Sequence, residues 1–561
     1  MKRGVISYFA IGLLTLSLVY FRPCETLAQD DEADNFQISG YMQLQTGVFV
    51  PLASSGFKDH KNVAYKKFGK DNYDYDKPCD PMREPNTCYP LDHGGRAGDL
   101  SMARSTLQID ADYSPDPVAN LHFVLRGVRS LRLEQDYWAQ PPIPGAVDDR
   151  AQWVVDNIYN ELDVRELYLD VYPTNWLSFR IGRQQVTWGE TGQYRLLDVI
   201  NPENSAWHFG PLESFQDTRT PLWIVKTLFE IHSISHDLEL VWVPGIDRPE
   251  DYVSTPLTLV GAWGLPPSNT PSPFVIDEKR FVYPGGRLKD GRGGARWKGN
   301  LGERMTYSLV YYYTHQLSPP VPTYYDLYRI PPEEFPEGLD PNTILIDSNR
   351  MKTLYLEFPR QHIAGFSTEY TFDNPIGMVA KLEAAVEPDR RFPRNSGTPY
   401  KNVDESYGSG FERYYFDEAK ELAASYAVVL MRPTMIRFLN PTQNFLLVFQ
   451  WMHTIMPNLD DVDKQDVIVI PGFNDIKVTT HAYRIIGAIA TNYMHGFLAP
   501  KIIGAYIAPE SGFLTLSLGI RPDKNWRIAL NVTDFYGSDP YNALGLFRDR
   551  DEVNLTVRVQ F

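Results

Sequence analysis

The charged side chains that could do chemistry in this sequence fall within apolar, strand-like runs. Between residues 177 and 182, leucine, phenylalanine and isoleucine alternate with serine, arginine and glycine. Alternation with a period of two predicts a β-strand with one apolar and one polar face. Eight charged residues and one tryptophan fall on such polar faces, where we expect them to line an aqueous lumen: Arg104, Arg126, Glu166, Asp170, Arg180, Trp188, Lys226, Lys381 and Glu383.

Enzyme chemistry has little support in the sequence. The run His232–His236 holds two serines between two histidines, a combination that could indicate a hydrolase. It falls at a predicted tight turn, where an ordinary polar turn is the better interpretation. The sequence contains no Gly-x-Ser-x-Gly, His-Glu-x-x-His, phosphate-binding glycine loop or Cys-x-x-Cys-His motif. We therefore expect no catalytic residues and no cofactor.

Two cysteines, Cys79 and Cys88, remain once Cys24 is assigned to an export signal. In an exported protein this spacing predicts a local disulfide. The same loop contains the aspartates of residues 71–76, which could form a calcium site, since Ca²⁺ prefers clustered oxygen ligands. Neither their spacing nor a glycine matches a known calcium loop, so we expect a solvated loop and no metal.

The first residues form a predicted signal peptide. Lys2 and Arg3 precede the apolar run of residues 5–20, and small residues at 26–28 offer a cleavage site. Residues 1–28 are therefore expected to be removed after export. The formal net charge of −16 argues against nucleic-acid binding.

Short turns and long polar connections alternate along the rest of the chain. Each strand-like run has the roughly 9–11 residues that a tilted strand needs to cross a bilayer. Eight short turns are predicted, at residues 114–117, 173–175, 233–236, 300–302, 373–376, 433–444, 494–496 and 522–524. Together with nine connections on the other side they give about 18 strands, with 16 as the alternative. This asymmetry is typical of outer-membrane β-barrels, with short periplasmic turns and long extracellular loops.

A closed barrel also satisfies the hydrogen-bonding groups of the backbone. In hydrocarbon every N–H and C=O group must be paired, and a closed sheet does this without helices. Residues 29–561 are thus predicted to form one all-β, antiparallel transmembrane barrel in the Gram-negative outer membrane. Barrels of this size leave an aqueous channel. Outer-membrane lipids and lipopolysaccharide are the expected surroundings.

The chain ends on a strand that alternates up to its last residue. Val557, Val559 and Phe561 share the apolar face of residues 553–561. A C-terminal strand with a terminal aromatic residue is the signal that the outer-membrane assembly machinery recognises. These three residues are therefore predicted to form the assembly signal.

Residues 190–220 are predicted to fold into the barrel and form its constriction. The segment is too apolar for a stretch exposed to water, and Gly189 precedes it, where we expect a sharp change of direction. Its polar residues are expected to pair with charged residues of the wall; capping the barrel from outside is the alternative. The residues assigned to this constriction are Glu190, Arg195, Asp198, Asn201, Asp217 and Arg219.

Four motifs within residues 162–225 carry a family resemblance: Tyr-Leu-Asp-Val-Tyr-Pro-Thr-Asn-Trp, Arg-Ile-Gly-Arg-Gln-Gln-Val-Thr-Trp-Gly-Glu, Leu-Asp-Val-Ile-Asn-Pro and Asp-Thr-Arg-Thr-Pro-Leu-Trp. They resemble the proteobacterial outer-membrane family known as domain of unknown function 1302 (DUF1302). The resemblance implies a porin-like barrel with no established catalytic residues. It also implies an inner-membrane exporter of the resistance–nodulation–division class as a candidate partner, and hydrophobic or lipid-like compounds as cargo.

Three functions follow from these observations. The leading hypothesis is a passive outer-membrane channel for small solutes. The first alternative is a transporter of hydrophobic or lipid-like compounds that works with an inner-membrane exporter. The second is a barrel sheath around a multihaem cytochrome, which a partner would have to supply because this chain has no haem-attachment motif.

Overall fold

The computed structural model describes residues 35–50, 52, 98, 100–130, 159–191, 195–205, 207–254, 275–317, 321–334, 346–373, 375–394, 400–401, 411–415, 417–457, 480–508, 511–537, 544, 547 and 550–561. The predicted signal peptide (1–28) lies outside the described residues. So do the predicted disulfide between Cys79 and Cys88 and the acidic run of residues 71–76.

Strands dominate the described chain. In chain order they are β1 (Phe36–Phe49), β2 (Leu100–Asp116), β3 (Ala119–Ser130), β4 (Leu162–Thr174), β5 (Leu177–Gln184), β6 (Leu222–Ile231), β7 (His236–Val243), β8 (Val275–Val282), β9 (Arg292–Leu301), β10 (Met305–His315), β11 (Val321–Arg329), β12 (Ile346–Glu357), β13 (Arg360–Phe372), β14 (Met378–Arg394), β15 (Tyr400–Lys401), β16 (Phe411–Tyr415), β17 (Asp417–Thr434), β18 (Phe445–Ile455), β19 (His481–Ala490), β20 (Leu498–Ile507), β21 (Ser511–Ile520), β22 (Trp526–Gly537) and β23 (Glu552–Gln560).

Eighteen of these strands form one antiparallel sheet that closes on itself. Each pairs with the next strand of this sheet along the chain, and β1 pairs with both β2 and β23. The predicted all-β barrel of 18 strands is confirmed, and the alternative of 16 strands is excluded. All eight predicted short turns join neighbouring strands of this sheet.

Alternating side chains give the barrel its two faces. In β10, Ser308, Val310 and Tyr312 are buried inside, while Leu309 and Tyr311 are exposed outside. Exposed apolar residues recur on the outward face of the other strands, as a surface in contact with lipid requires. Three exposed tryptophans at strand ends fit the aromatic belts of such barrels: Trp176, Trp223 and Trp242.

A second, five-stranded sheet was not predicted. Its order is β15-β16-β11-β12-β8, and β8 pairs with β12 in parallel. All five strands come from connections that the sequence analysis treated as polar loops. Apolar positions supply its interior, since Leu354 and Leu356 of β12 are buried. Short, turn-rich runs of this kind do not show the regular period that identifies membrane strands.

Helical structure in the described residues is brief. The α-helix α1 (Phe215–Thr218) is a single turn whose N-cap, Ser214, accepts the backbone N–H of Asp217. The 3₁₀ turns are Gly210–Leu212, His232–Ile234, Pro249–Tyr252, Leu288–Asp290, Pro332–Glu334 and Met494–Gly496. Within the described ranges, the helices are all too short to cross a membrane.

The seam between the first and last strands is closed by Gly40 and Phe561. Their backbones exchange two hydrogen bonds of 3.0 Å. A Cβ added to Gly40 would lie 2.4 Å from the carbonyl oxygen of Gln108 and 2.8 Å from Cζ of Phe561. The terminal aromatic ring therefore covers a glycine on the outward face of β1. The role of Val557, Val559 and Phe561 in assembly remains a prediction.

Replacing Gly40 with alanine should weaken the seam. The added methyl group overlaps a backbone carbonyl that cannot rotate away, so we expect the free energy of unfolding to fall by about 1–3 kcal/mol. Urea unfolding of the protein refolded into lipid vesicles measures this change. Gly487→Ala is the matched control, because no atom lies within 4 Å of a Cβ at that strand position. Equal loss of stability in both variants would contradict the proposed packing.

Candidate functional site

The connection between β5 and β6, residues 185–221, is called the inner loop below, and its described residues lie inside the barrel. It leaves the wall through Gly189, whose added Cβ would lie 2.9 Å from Cβ of Asp198. Gly189 was expected to allow a sharp change of direction. Its φ is not among the positive values, and the close approach of Asp198 leaves no room for a Cβ at this position.

Glu383 of β14 holds the first part of the inner loop. Its buried carboxylate accepts the backbone N–H groups of Glu190, Thr191 (2.9 Å) and Leu197 (3.4 Å), and the hydroxyl of Thr191 (2.8 Å). Glu383 has no exposed surface. One carboxylate thus satisfies several donors that would otherwise be unpaired inside the barrel.

Charged wall residues flank this attachment point. Lys381 Nζ lies 3.5 Å from Glu190 and 2.7 Å from Glu369. Trp188 is buried and donates its indole N–H to Glu239 over 2.5 Å, and Arg296 donates to the same carboxylate. The structure therefore places the predicted residues Trp188, Glu190, Lys381 and Glu383 around the first part of the inner loop.

The apolar side chains of the inner loop pack against apolar positions on the inner wall. Leu197 and Ile200 have no exposed surface. A Cβ on Gly365 of β13 would lie only 2.2 Å from Cδ2 of Leu197, so the wall has a recess at this point. The wall residues in this cluster are Leu222, Ile224, Val241, Val243, Val310, Tyr312, Ile363, Ala385 and Ala427. An apolar residue at an inward position is the sequence signal that could have located this contact surface.

Four of the predicted constriction residues contact one another. Asp198 Oδ2 accepts Nε of Arg195 and Nε of Arg219, each at 3.0 Å. Arg195 also donates to the carbonyl of Asn201 over 2.7 Å. These residues were expected to pair with the wall, and that expectation is wrong for Arg195, Asp198 and Arg219. The two arginines share the carboxylate of Asp198, and Glu203 lies 4.0 Å from Nη1 of Arg195 within the same loop.

Asn201 joins the two ends of the inner loop. Its side-chain oxygen accepts the N–H of Val186 (2.7 Å), and its amide donates to the carbonyls of Gln184 (3.1 Å) and Thr220 (2.9 Å). Asn201 is fully buried. This one side chain fixes the distance between the end of β5 and the start of β6.

Asp217 attaches the later part of the inner loop to β3, on the opposite side of the barrel from β14. Its carboxylate lies 3.3 Å from Nη1 of Arg126. Burial raises the pKa of Asp217, but Arg126 and the hydroxyl of Ser214 lower it by more than burial raises it. The pKa of Asp217 therefore lies below its usual range. Asp217 therefore stays ionised and keeps its ion pair with Arg126. The predicted pairing of Asp217 with a charged residue of the wall is present.

Arg165 is a site residue that the sequence analysis missed. It is the extra residue of a β-bulge, where Glu166 pairs with Val124 and Val164 pairs with Leu125. The bulge turns Arg165 inward against the alternation of its strand. Its Nη2 donates to three backbone carbonyls of the inner loop: Gln216 (2.6 Å), Asp217 (3.1 Å) and Arg219 (2.7 Å).

A third attachment links the inner loop to the last strands. Phe209 packs against Phe513, Phe535 and Phe547 with ring centroids 5.1–5.5 Å apart. His208, beside it, contacts two carboxylates at its two ring nitrogens: Glu213 of the inner loop and Glu552 of β23, the latter at 3.2 Å. The inner loop therefore contacts the wall on opposite sides of the lumen.

Four other predicted lumen residues, Glu166, Asp170, Arg180 and Lys226, lie on the adjacent strands β4, β5 and β6. Arg180 donates two hydrogen bonds to Asp170, of 2.6 and 2.9 Å. Lys226 lies directly opposite Arg180 in the register of β5 and β6. Glu166 accepts Nε2 of Gln185 over 3.1 Å. The last two predicted lumen residues, Arg104 and Arg126, lie nearer the outer ends of β2 and β3. In the described ranges, no group of three or more candidate ligands is arranged to hold a metal ion.

Comparison with protein families adds one decisive finding. A family model described as "Protein of unknown function (DUF1302)" matches residues 99–561. The chain belongs to this family. The match shows that the DUF1302 resemblance extends far beyond residues 162–225, where the sequence analysis had concentrated it. No curated protein matches the chain.

Several solved structures align with this DUF1302 barrel over almost their whole length. OccAB3 of Acinetobacter baumannii aligns with 8% identity and a TM-score of 0.43, covering 94% of this chain and 100% of its own. OccK8 (OprE) of Pseudomonas aeruginosa has 10% identity, a TM-score of 0.39 and coverage of 94% and 98%. The Salmonella typhi OmpF complex with daunomycin has 7% identity, a TM-score of 0.35 and coverage of 94% and 97%. Identity this low says nothing about substrates.

Replacing Glu383 with alanine should loosen the inner loop. The variant leaves three backbone N–H groups without their acceptor, and a buried unpaired donor costs about 1–3 kcal/mol in the free energy of unfolding. We expect a lower urea midpoint and a noisier single-channel current. Glu383→Gln is the control, since it keeps one oxygen acceptor at nearly the same position. A quiet current in Glu383→Ala would show that the inner loop does not depend on this carboxylate.

The attachment of His208 should depend on pH. Burial lowers the pKa of His208, but Glu552 and Glu213 outweigh burial and raise it to about 9. Because the folded pKa exceeds the ordinary value of about 6.5, the stabilisation is complete below pH 6.5 and is lost as the pH rises through about 9. Current noise should therefore increase across this window. His208→Gln should abolish the dependence, whereas His232→Gln, in an exposed turn, should keep it; an unchanged pH response in His208→Gln contradicts the assignment.

Proposed function

We propose that this chain is an outer-membrane channel for small polar solutes, and that its inner loop forms the narrowest part of the lumen. The observation that carries the proposal is the position of the inner loop. It is bound to β14 through Glu383 and to β23 through His208. Because these contacts lie on opposite sides of the lumen, solutes would pass beside the inner loop.

The chemistry of the inner loop favours polar solutes. Five of its large apolar side chains are buried, so they are not available to a hydrophobic cargo: Leu196, Leu197, Ile200, Trp207 and Phe209. Pairs of charged residues remain around it, among them Arg126 with Asp217 and Lys381 with Glu190. A passage between such groups attracts ions and hydrogen-bonding solutes more than hydrocarbon. This argument places transport of lipid-like compounds with an inner-membrane exporter second.

The cytochrome hypothesis conflicts with the space available. A sheath must leave its lumen free for a folded partner along its length. Here the lumen contains Trp188, Leu197, Ile200, Trp207 and Phe209 of the same chain, all buried. A multihaem protein would have to displace the inner loop and every contact that it makes. We therefore place this function third.

Removing residues 193–216 tests the proposed constriction. Closed barrels of this strand number have a wide lumen, so the deletion should raise single-channel conductance severalfold in planar bilayers. Migration in SDS before and after boiling shows whether each barrel has folded. Glu383→Gln, which leaves the inner loop in place, is the control and should keep the native conductance. Unchanged conductance in a folded deletion variant would show that the inner loop does not limit permeation.

A further inference from the structure

A small cavity lies between the wall strands β2–β5 and the last part of the inner loop. Its volume is ≈ 30 Å³, room for about two water molecules. The wall residues around it lie near the outer ends of their strands. Six arginines and four carboxylates line the cavity, and the arginines are Arg104, Arg126, Arg165, Arg183, Arg219 and Arg248.

Four of the six arginines have carboxylate partners. Arg183 lies 2.5 Å from Asp163, and Arg248 lies 2.6 Å from Asp251. Arg126 has two carboxylate partners, Asp217 at 3.3 Å and Glu161 at 4.0 Å. Arg219 is paired with Asp198, which is not among the lining residues. These pairs use all four carboxylates of the lining.

Arg165 and Arg104 hold the excess positive charge. Arg165 donates to backbone carbonyls of the inner loop, which satisfy its hydrogen bonds but do not neutralise it. Arg104 is 4% exposed. Among the described residues, its Nε and Nη1 atoms have no hydrogen-bond partner, and neither has Nε of Arg126. Buried donors in this state are costly unless a ligand satisfies them.

Trp207 stabilises the charge of Arg104 without satisfying its donors. The guanidinium carbon lies 3.6 Å from the ring centroid of Trp207. A cation–π contact uses the face of the guanidinium group. The N–H groups lie in the plane of that group and point away from the contact. They form the planar fork that binds the two oxygens of a carboxylate or phosphate.

We propose that this cavity binds the oxyanion group of a small solute, a carboxylate or a phosphate, through Arg104 and Arg126. The inference rests on the proposed channel function and specifies its substrate class. An oxyanion there would satisfy the donors of Arg104 and neutralise part of the excess charge. Because the cavity lies in the outer half of the lumen, it would concentrate anionic solutes beside the constriction.

Isothermal titration calorimetry on the refolded protein at low salt tests the site directly. Acetate, inorganic phosphate and chloride are the three probes. We expect at least one of the two oxyanions to bind in the millimolar range or tighter, and more tightly than chloride. Arg104→Gln should weaken oxyanion binding by about tenfold or more. Arg129→Gln is the matched control, since it removes the same charge from the exposed outer face of β3 and should leave binding unchanged.

Glu161→Gln gives an effect of the opposite sign. Neutralising Glu161 removes a competitor for Arg126, so oxyanion binding should tighten severalfold. A misfolded variant would lose affinity instead, so a gain supports the site even where Arg104→Gln fails to fold. Equal weakening by Arg104→Gln and Arg129→Gln would overturn the proposal. So would the absence of oxyanion binding to the wild-type protein, or chloride binding as tight as that of acetate and phosphate.

Calorimetry and conductance separate this inference from the channel function. Binding without conductance would support the site and contradict the channel. Conductance without oxyanion binding would support the channel and overturn the site. In a conducting channel, the bound anion should also reduce the single-channel current in proportion to occupancy, and Arg104→Gln should remove that reduction.

Discussion

Pairing of backbone groups in hydrocarbon is the constraint on which this structure depends. No water is available there to bond an exposed N–H or C=O, so the sheet must close. Closure depends on the register between β1 and β23, which ends where Gly40 and Phe561 exchange hydrogen bonds. Once the sheet is closed, alternation sends half of all strand side chains inward. The composition of that inner surface then decides what the lumen can hold.

The inner surface is not uniformly polar, and the exceptions explain the position of the inner loop. Val310, Tyr312 and Ile363 face inward although they are apolar, and they would be exposed to water in an empty lumen. Leu197 and Ile200 cover them. Each side removes apolar area of the other from water, a contribution of about 25 cal/mol per Å². The polar attachments at Glu383 and His208 then fix an orientation that apolar contact alone would leave loose.

The sequence predicted the barrel well because its signals are local and repeated. Strand alternation, eight short turns and a terminal aromatic residue depend only on neighbours along the chain. Which charges meet inside the lumen depends on three-dimensional position, and here the prediction was partly wrong. Arg195, Asp198 and Arg219 pair within the inner loop because Asn201 brings its two ends together. Arg165 was missed because a bulge reverses the side to which its strand position points.

The pattern of attachments favours a fixed inner loop over a mobile lid. A lid needs one free end or one weak side, so that a small change in free energy moves it. The inner loop has neither: Asn201 ties its base, Glu383 holds one side, and Arg126 and Arg165 hold the other. Opening it would leave buried charges without partners at several places at once, and each unpaired charge is costly. In the proposed channel, selectivity is therefore expected to come from the charges beside a static passage, with the unsatisfied donors of Arg104 foremost among them.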